Sequence, residues 1–215
     1  MTTDEILDSL ETMFPNAECE LNHQNAFELL VAVVLSAQTT DISVNKITPD
    51  LFKSFPTPLA LSLADISEIE TKIKRIGLYH NKALSIKNLS TSLVEDFDGV
   101  VPSSMKALMS LAGVGRKTAN VVRSVSFDIP SVAVDTHVER ISKRLGLAKP
   151  ADSVEVVESK LKRKIKRERW NRAHHLFIFF GRYQCMARNP QCLTCPFQSF
   201  CKKDQLETYR SMHKG

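Results

Sequence analysis

The chain of 215 residues is long enough for one large domain or two small ones, and 43% hydrophobic residues can build a packed core. Its net charge of +5 favours a polyanionic partner, but weakly, because many basic proteins bind no nucleic acid. The longest apolar run, 29–35, is too short to span a bilayer, so we expect no membrane association. Clustered cysteines without a signal pattern predict a reducing compartment, the cytoplasm.

The predicted elements follow one another as helices. Apolar residues recur at helical spacing, Gly and Pro separate the segments, and no strand alternation or repeat is evident. In chain order, the first two predicted helices begin after Asn25 and after Asp65, and a third covers 82–97. Two helices follow around the next glycines, one from Pro102 through Met109 and one over 116–126. The last three run from Thr136 to near Gly146, over 153–165 and over 167–180. The sequence therefore predicts an all-α fold with an internal boundary near 128–131.

The segment 111–115, Leu-Ala-Gly-Val-Gly, lies between two of these helices. Gly113 and Gly115 can adopt positive φ and let the backbone come close to a ligand. Amides of the turn and of the next helix would then point at one phosphate. With Arg116 following, the pattern predicts a helix-hairpin-helix that clamps a DNA backbone; the alternative is an ordinary tight turn.

Lys117 falls in the first turn of the helix that follows the hairpin. The positive end of the helix dipole disfavours an ammonium there, and Arg116 adds like charge. A lysine that is kept neutral can attack a sugar C1′ and form a Schiff base. A lysine that only contacts phosphate is the alternative interpretation.

Asp135 is the second candidate catalytic residue. Thr136 and Glu139 predict a capping box for the helix that follows, which would leave Asp135 free for another task. An acid facing Lys117 could stabilise positive charge that develops on a sugar ring. The competing interpretation is a carboxylate that merely stabilises a helix N-terminus. His137 is better explained as a structural or phosphate-side residue than as a catalyst.

Four cysteines are spaced C-x6-C-x2-C-x5-C from Cys185 to Cys201. Four thiolates on a short segment can close around one metal centre, and spacing alone leaves both an iron–sulfur cluster and tetrahedral zinc open. Arg182 precedes this loop and is a candidate phosphate contact. The basic run 160–169 is either a solvated face or part of a nucleic-acid surface.

Together these segments resemble the endonuclease III family of DNA base-excision glycosylases. The motifs that carry the resemblance cover most of the chain: Leu-Ser-Ala-Gln-Thr-Thr-Asp at 35–41, Gly-Leu-Tyr-His-Asn-Lys-Ala at 77–83, 111–122, 134–140 and the cysteine loop. The resemblance implies a [4Fe–4S] cluster as cofactor, with four ligands: Cys185, Cys192, Cys195 and Cys201. Two departures from the family pattern are Ala112 in place of Pro and Phe180 in place of His.

The resemblance also implies roles for single residues and an arrangement of domains. Lys117 would be the Schiff-base nucleophile and Asp135 its acidic partner. Gln38 would fill the gap left by an extruded nucleotide, and Leu78 would wedge beside the estranged opposite base. Other implied DNA contacts are Gly113, Gly115, Arg116, His137 and Arg182. The two helical lobes would be a six-helix lobe over 19–129, with the helix-hairpin-helix at about 102–126, and an iron–sulfur lobe formed by 1–18 and 130–215.

The implied activity is that of a bifunctional DNA glycosylase and AP lyase that removes oxidised pyrimidines of the thymine glycol type and cleaves 3′ to the abasic site by β-elimination. Val33 stands where the adenine-removing branch has Glu; that branch lacks the lysine and carries a further C-terminal domain. The expected partner is double-stranded DNA with damaged pyrimidines or abasic sites, bound by a monomer at a bacterial nucleoid. The alternatives are a monofunctional glycosylase and a non-catalytic, redox-sensing DNA-binding protein.

Overall fold

The computed structural model describes residues 1–204, 207 and 211, and no strand occurs among them. This confirms the all-α prediction. The α-helices are α1 (Thr3–Met13), α2 (Ala26–Leu35), α3 (Asp41–Asn45), α4 (Thr48–Ser54), α5 (Pro58–Leu63), α6 (Ile66–Ile73), α7 (Tyr79–Phe97), α8 (Met105–Ser110), α9 (Arg116–Phe127), α10 (Thr136–Arg144), α11 (Val154–Lys164) and α12 (Trp170–Phe179). In the described part of the chain, none of the helices is long and apolar enough to cross a membrane.

The chain divides into two compact units. One, here called the hairpin unit, comprises Cys19–Ile129 and contains α2 to α9. The other, here called the cysteine unit, comprises Met1–Glu18 and Pro130–Gly215. Short helices of five to seven residues, namely α3, α4, α5 and α8, raise the number of helices in the hairpin unit above six.

The hairpin unit is built around α2, which is buried over nearly its whole length. A helix that is apolar on all sides must be surrounded by other elements, and α2 packs against α7 and α9. Its start is fixed by Asn25, whose Oδ1 accepts a hydrogen bond from the amide of Glu28 at 2.9 Å. The long α7 also packs against α5 and α6, and α9 packs against α8. The core therefore positions both helices of the hairpin, α8 and α9.

The cysteine unit joins the two ends of the chain through one apolar core. Side chains of α1, α10, α11 and α12 share this core with Phe197 of the cysteine loop. Cations near the start of α12 fasten α1: Arg169 pairs with Asp8 at 2.7 Å, and Arg172 pairs with Glu11 at 2.6 Å. Burial together with these ion pairs explains why the N-terminal helix belongs to the C-terminal half.

Two helix boundaries differ from the sequence prediction. The helix predicted over 82–97 begins earlier, at Tyr79, directly after Leu78 in a left-handed conformation. The helix predicted over 167–180 consists of a 3₁₀ turn at Arg167–Arg169, the α-helix α12, and a π-helical turn at Phe180–Gln184. The wide π turn delivers the chain to Cys185, the first cysteine of the loop.

Candidate active site and metal centre

The turn between α8 and α9 is anchored by its apolar residues and exposes its glycines. Leu111 and Val114 are buried, and the amide of Val114 donates to the carbonyl of Leu111 at 3.2 Å. Gly113 has φ +75°, and a Cβ there would lie 3.0 Å from the Cβ of Ser85. Both the conformation and the close approach therefore require glycine at this position.

Lys117 projects from the first turn of α9 and is exposed, as are Gly115 and Arg116. Gly115 is the N-cap residue, and no side chain caps this helix end. The first amides of α9 are therefore not covered by a capping side chain, which suits a phosphate oxygen. The structure places the predicted clamp residues and the predicted nucleophile together at one exposed helix start.

Asp135 is the N-cap of α10, so the predicted capping box at Thr136 is wrong. Its Oδ1 accepts hydrogen bonds from the amides of His137 at 2.9 Å and Val138 at 2.8 Å. Glu139, the supposed partner in the box, instead binds Lys143 at 2.6 Å. Asp135 uses only one of its two carboxylate oxygens in this cap and is partly exposed. The cap fixes the carboxylate while its second oxygen makes no hydrogen bond to the described residues.

His137, two residues later, is held in place by a close backbone approach. A Cβ on Gly181 would lie 3.0 Å from the Cβ of His137, so this glycine is needed for space. Nη2 of Arg140 lies 3.2 Å from Nδ1 of His137, which accepts the hydrogen bond. Burial lowers the pKa of His137, and Arg140 and Arg182 lower it further while Asp135 opposes them. The lowered pKa favours a neutral imidazole ring of His137 beside Asp135.

The two residues expected to enter the duplex share an unusual backbone conformation. Gln38, in the loop between α2 and α3, has φ +54°, and Leu78, the N-cap of α7, has φ +58°. Positive φ is uncommon for residues other than glycine and concentrates at functional sites. Both side chains are exposed, Leu78 to 57%. An exposed leucine in a strained conformation is poorly explained as a core residue.

One cavity of about 260 Å³ in the cysteine unit is lined by all four cysteines of the spaced motif, Cys185, Cys192, Cys195 and Cys201. Among the described residues, no group of three or more His, Cys, Asp or Glu side chains is arranged to hold a single metal ion. A tetrahedral zinc site would need all four sulfurs about 2.3 Å from one ion. Four thiols that line one cavity fit an iron–sulfur cluster, whose irons are held by four cysteine thiolates.

The surroundings of the cysteine thiols favour binding of metal cations. Burial raises the pKa of the Cys195 and Cys201 thiols, and the neighbouring cysteines raise it further. A metal ligand must be a deprotonated thiolate, so metal binding releases the thiol protons. The positive charge of the metal then stabilises thiolates that these surroundings would otherwise disfavour. The donor set and its surroundings therefore fit the cluster that the cysteine spacing and the resemblance imply.

Arg144 is a functional candidate that the sequence analysis missed. It is 1% exposed, and its Nη1 donates to Sγ of Cys185 at 3.2 Å and to the carbonyl of Met186 at 2.8 Å. Arg144 comes three residues after Ile141, so helical spacing places these two residues on the same side of α10. A cation on the same side of a helix as an apolar residue was the sequence signal that could have identified Arg144.

Comparison with known proteins bears on these features directly. Residues 31–167 match the HhH-GPD superfamily of base excision DNA repair proteins, and residues 185–201 match the iron–sulfur binding domain of endonuclease III. The chain is 50% identical to the endonuclease III of Bacillus subtilis over 97% of this chain and 95% of that protein. The chain belongs to the endonuclease III family.

Further relatives agree with this family assignment. The endonuclease III of Escherichia coli K12 is 44% identical over 92% of this chain and 93% of its own length. A solved endonuclease III, trapped as a covalent intermediate with DNA in an estranged-adenine complex, superposes with a TM-score of 0.91 at 50% identity and covers 97% of this chain and 99% of that one. As a member of the family, the protein is a bifunctional DNA glycosylase and AP lyase of base excision repair, and its cofactor is a [4Fe–4S] cluster.

The basic run 160–169 is largely neutralised inside the cysteine unit. Its cations form these ion pairs: Lys160–Asp152, Lys162–Glu158, Lys166–Asp4 and Arg169–Asp8. Arg163 and Lys164 instead line an open cavity of about 430 Å³ together with Lys149. Most of the run therefore behaves as a paired surface, and the structure favours the solvated-face interpretation for it.

Proposed function

We propose that the protein excises oxidised pyrimidines of the thymine glycol type, with Lys117 as the nucleophile and Asp135 as its acidic partner. The observation that carries the proposal is the exposed Lys117 at the uncapped start of α9, in the hairpin where a DNA backbone would bind. The family relative trapped covalently on DNA supports a mechanism through an enzyme–DNA bond. A lysine amine is the protein group that forms such a bond with a sugar carbon as a Schiff base.

The proposed reaction begins when the unprotonated amine of Lys117 attacks C1′ of the flipped-out nucleotide. The C1′–N bond breaks, and the base leaves with the bonding electron pair and takes up a proton. The sugar ring opens to give an imine between C1′ and Nζ. Loss of a proton from C2′ then expels the 3′ phosphate, which cleaves the strand by β-elimination. Hydrolysis of the imine returns the free amine.

Asp135 contributes a fixed negative charge in this proposal. Its Oδ1 is occupied by the amides of His137 and Val138, so the carboxylate is held in one orientation. The second oxygen is available to stabilise positive charge on the sugar as the base departs. Because the cap already orients the group, little reorganisation is needed when this charge develops.

Gln38 and Leu78 are the proposed duplex-inserting residues. Extruding a nucleotide leaves a gap and an unpaired opposite base, which costs free energy unless protein groups replace the lost contacts. Gln38 offers an amide that can hydrogen bond inside the gap, and Leu78 offers an apolar side chain that can stack against the estranged base. The left-handed backbone at each residue supports a functional placement. Contacts to the DNA backbone are proposed for Gly113, Gly115, Arg116, His137 and Arg182.

Cys185, Cys192, Cys195 and Cys201 are the proposed ligands of the cluster, which staples the loop that they line. We assign 19–129 to the helix-hairpin-helix domain and 1–18 with 130–215 to the iron–sulfur domain; the two compact units support these limits. We further propose a monomer that works on the nucleoid in the cytoplasm of a bacterium, since the relatives it resembles are bacterial proteins. Val33, where a catalytic Glu would stand in an adenine-removing enzyme, supports a pyrimidine substrate.

Borohydride trapping on a duplex with a single thymine glycol tests the proposal. We expect a covalent protein–DNA adduct from the wild-type protein and none from Lys117→Ala, which should also lose base release and strand cleavage. Lys106 lies on α8, the first helix of the hairpin, so Lys106→Ala is the matched control and should trap normally. An adduct from Lys117→Ala at the wild-type rate would show that another amine is the nucleophile. Base release from an undamaged A·G mismatch, but not from thymine glycol, would refute the substrate class.

A further inference from the structure

A buried lysine in the hairpin unit has no part in the chemistry proposed above. Lys82, in the first turns of α7, is 6% exposed, and its Nζ donates a hydrogen bond to Oγ1 of Thr39 at 2.6 Å. No carboxylate among the described residues pairs with it, and burial lowers its pKa. Burying an ammonium without a counter-charge is unfavourable. We therefore expect the buried ammonium of Lys82 to fix the position of a neighbouring segment of the chain.

On one side, the bond of Lys82 fixes the turn that carries Gln38. Thr39 follows Gln38 in the chain, and its hydroxyl lies 3.4 Å from the carbonyl of Ala37, the residue that precedes Gln38. The amide of Thr39 also donates to the carbonyl of Ser36 at 3.0 Å. The hydroxyl can therefore accept from Lys82 and donate across Gln38 at the same time. Hydrogen bonds on both sides of Gln38 therefore hold its left-handed backbone in place.

On the other side, Lys82 belongs to the same helical turn as Leu78. Its amide donates to the carbonyl of Leu78 at 3.0 Å, which is the first main-chain hydrogen bond of α7. Leu78 is the N-cap residue of α7, and its apolar side chain makes no capping hydrogen bond. The backbone of Lys82 thus holds Leu78, while its side chain holds the turn of Gln38. Two strained, exposed residues from separate loops are thus joined through one residue, Lys82.

We propose that Lys82 is a positioning residue that sets the spacing of Gln38 and Leu78 before DNA binds. The inference rests on the proposed insertion of these two residues into the duplex. Side chains that enter one gap from two loops must keep a fixed separation, and prior ordering lowers the entropy lost on binding. The bond between Lys82 and Thr39 spans 43 residues of sequence and supplies that ordering.

The experiment uses the cluster-loaded protein and a duplex with a tetrahydrofuran abasic analogue opposite 2-aminopurine, whose fluorescence rises when the base loses its stacking. The analogue has no C1′ hydroxyl, so no Schiff base forms. We expect Lys82→Met and Thr39→Val each to weaken binding of this duplex about 10- to 100-fold, the range for one hydrogen bond to a charged group. The fluorescence rise should shrink, while binding of the undamaged duplex stays the same.

Coupling and controls separate positioning from a loss of folding. The double variant Lys82→Met/Thr39→Val should bind no more weakly than either single variant, and Thr39→Ser should restore wild-type binding. Lys87→Met is the matched control, because Lys87 lies on the same helix and donates to the carbonyl of Ala64 at 2.6 Å. It should leave damage-specific binding unchanged. Equal loss of binding to damaged and undamaged duplexes, or full additivity in the double variant, would overturn the inference.

Gln38→Ala and Leu78→Ala, measured on the same duplex, separate this inference from the proposed function. If both variants bind and unstack the reporter base as the wild type does, the insertion roles fail. If both are impaired but Lys82→Met and Thr39→Val are not, insertion stands and the positioning role of Lys82 fails.

Discussion

The buried guanidinium of Arg144 donates a hydrogen bond to Sγ of Cys185, with 3.2 Å between Nη1 and the sulfur. One turn earlier on α10, Arg140 donates to the carbonyls of Gly181 at 2.8 Å and Cys185 at 3.3 Å. The helix that Asp135 caps, α10, therefore holds the first cysteine of the loop through two arginines. A cation beside a thiolate ligand also offsets the negative charge of the cluster that the cysteines bind.

Replacing this arginine should weaken the cluster loop. Arg144→Met keeps much of the side-chain volume but leaves the carbonyl of Met186 and the sulfur of Cys185 without the donor that Arg144 supplies, which we expect to cost about 1–3 kcal/mol of unfolding free energy. The purified variant should contain less iron and lose its visible cluster absorbance faster in air. Arg163→Met is the control, because Arg163 is exposed on α11. Wild-type iron content and stability in Arg144→Met would contradict this role.

The two functions of Asp135, cap and charge, can be separated by substitution. Asparagine is as good an N-cap as aspartate, so the free energy of unfolding of Asp135→Asn should lie within a few tenths of a kcal/mol of the wild-type value. That of Asp135→Ala should be about 1 kcal/mol lower. Both should slow base release strongly, because both remove the carboxylate. Single-turnover rates on thymine glycol duplex and urea unfolding measure the two effects.

Ser153→Ala is the matched control for the loss of a cap. Ser153 caps α11 in the same unit and accepts from the amide of Val156. This variant should lose a similar free energy of unfolding without a change in base release. Wild-type base release in Asp135→Asn would mean that Asp135 serves only as a cap.

The hairpin glycines should respond differently to alanine. Gly113→Ala forces a side chain into positive φ and places its Cβ 3.0 Å from Ser85, so we expect a loss of about 1–2 kcal/mol from the conformation alone and weaker binding of any duplex. Gly115 has φ −91°, and a Cβ added there would meet no atom within 4 Å, so Gly115→Ala should be mild. Fluorescence anisotropy with undamaged DNA and thermal melting compare the two. Equal effects would show that close approach at Gly113 is unimportant.

His175 should make the cysteine unit sensitive to acid. Burial, together with the nearby charges of His174 and Arg172, lowers the pKa of His175 to about 3. Between pH 6.5 and about 3 the unfolded state binds a proton that the folded state does not, so stability falls as the pH falls through this window. The slope approaches 1.4 kcal/mol per pH unit, or about 2 kcal/mol between pH 6.5 and 5.

Urea unfolding of wild type and His175→Gln at pH 7 and pH 5 measures this contribution. The variant cannot take up the proton, so its stability should fall less between the two pH values. The cluster is common to both proteins, and its own acid sensitivity cancels in the difference. Identical pH dependence in the two proteins would assign the effect to other groups.

Short motifs in the sequence were sufficient for the family and the helical class, and the family resemblance, rather than the cysteine spacing alone, identified the cofactor. Cysteine spacing is a property of one short segment, the glycines of 111–115 are adjacent, and helix periodicity is read over a few turns. The Gly113 conformation and the position of Lys117 in the first turn of α9 follow from such short-range rules. The error at Thr136 was also local: Asp and Thr are both good N-caps, and the sequence could not choose between neighbours.

Only the tertiary structure decided which charges are buried and what they touch. The partners of Lys82 and Arg144 lie 43 and 41 residues away in sequence, and two cations of the run 160–169, Lys166 and Arg169, pair with acids of α1. Burial of an ammonium or a guanidinium depends on packing of distant elements, which residue spacing along one helix does not encode. The sequence by itself therefore determined the chemical groups of the site, and packing determined which of them are held in place.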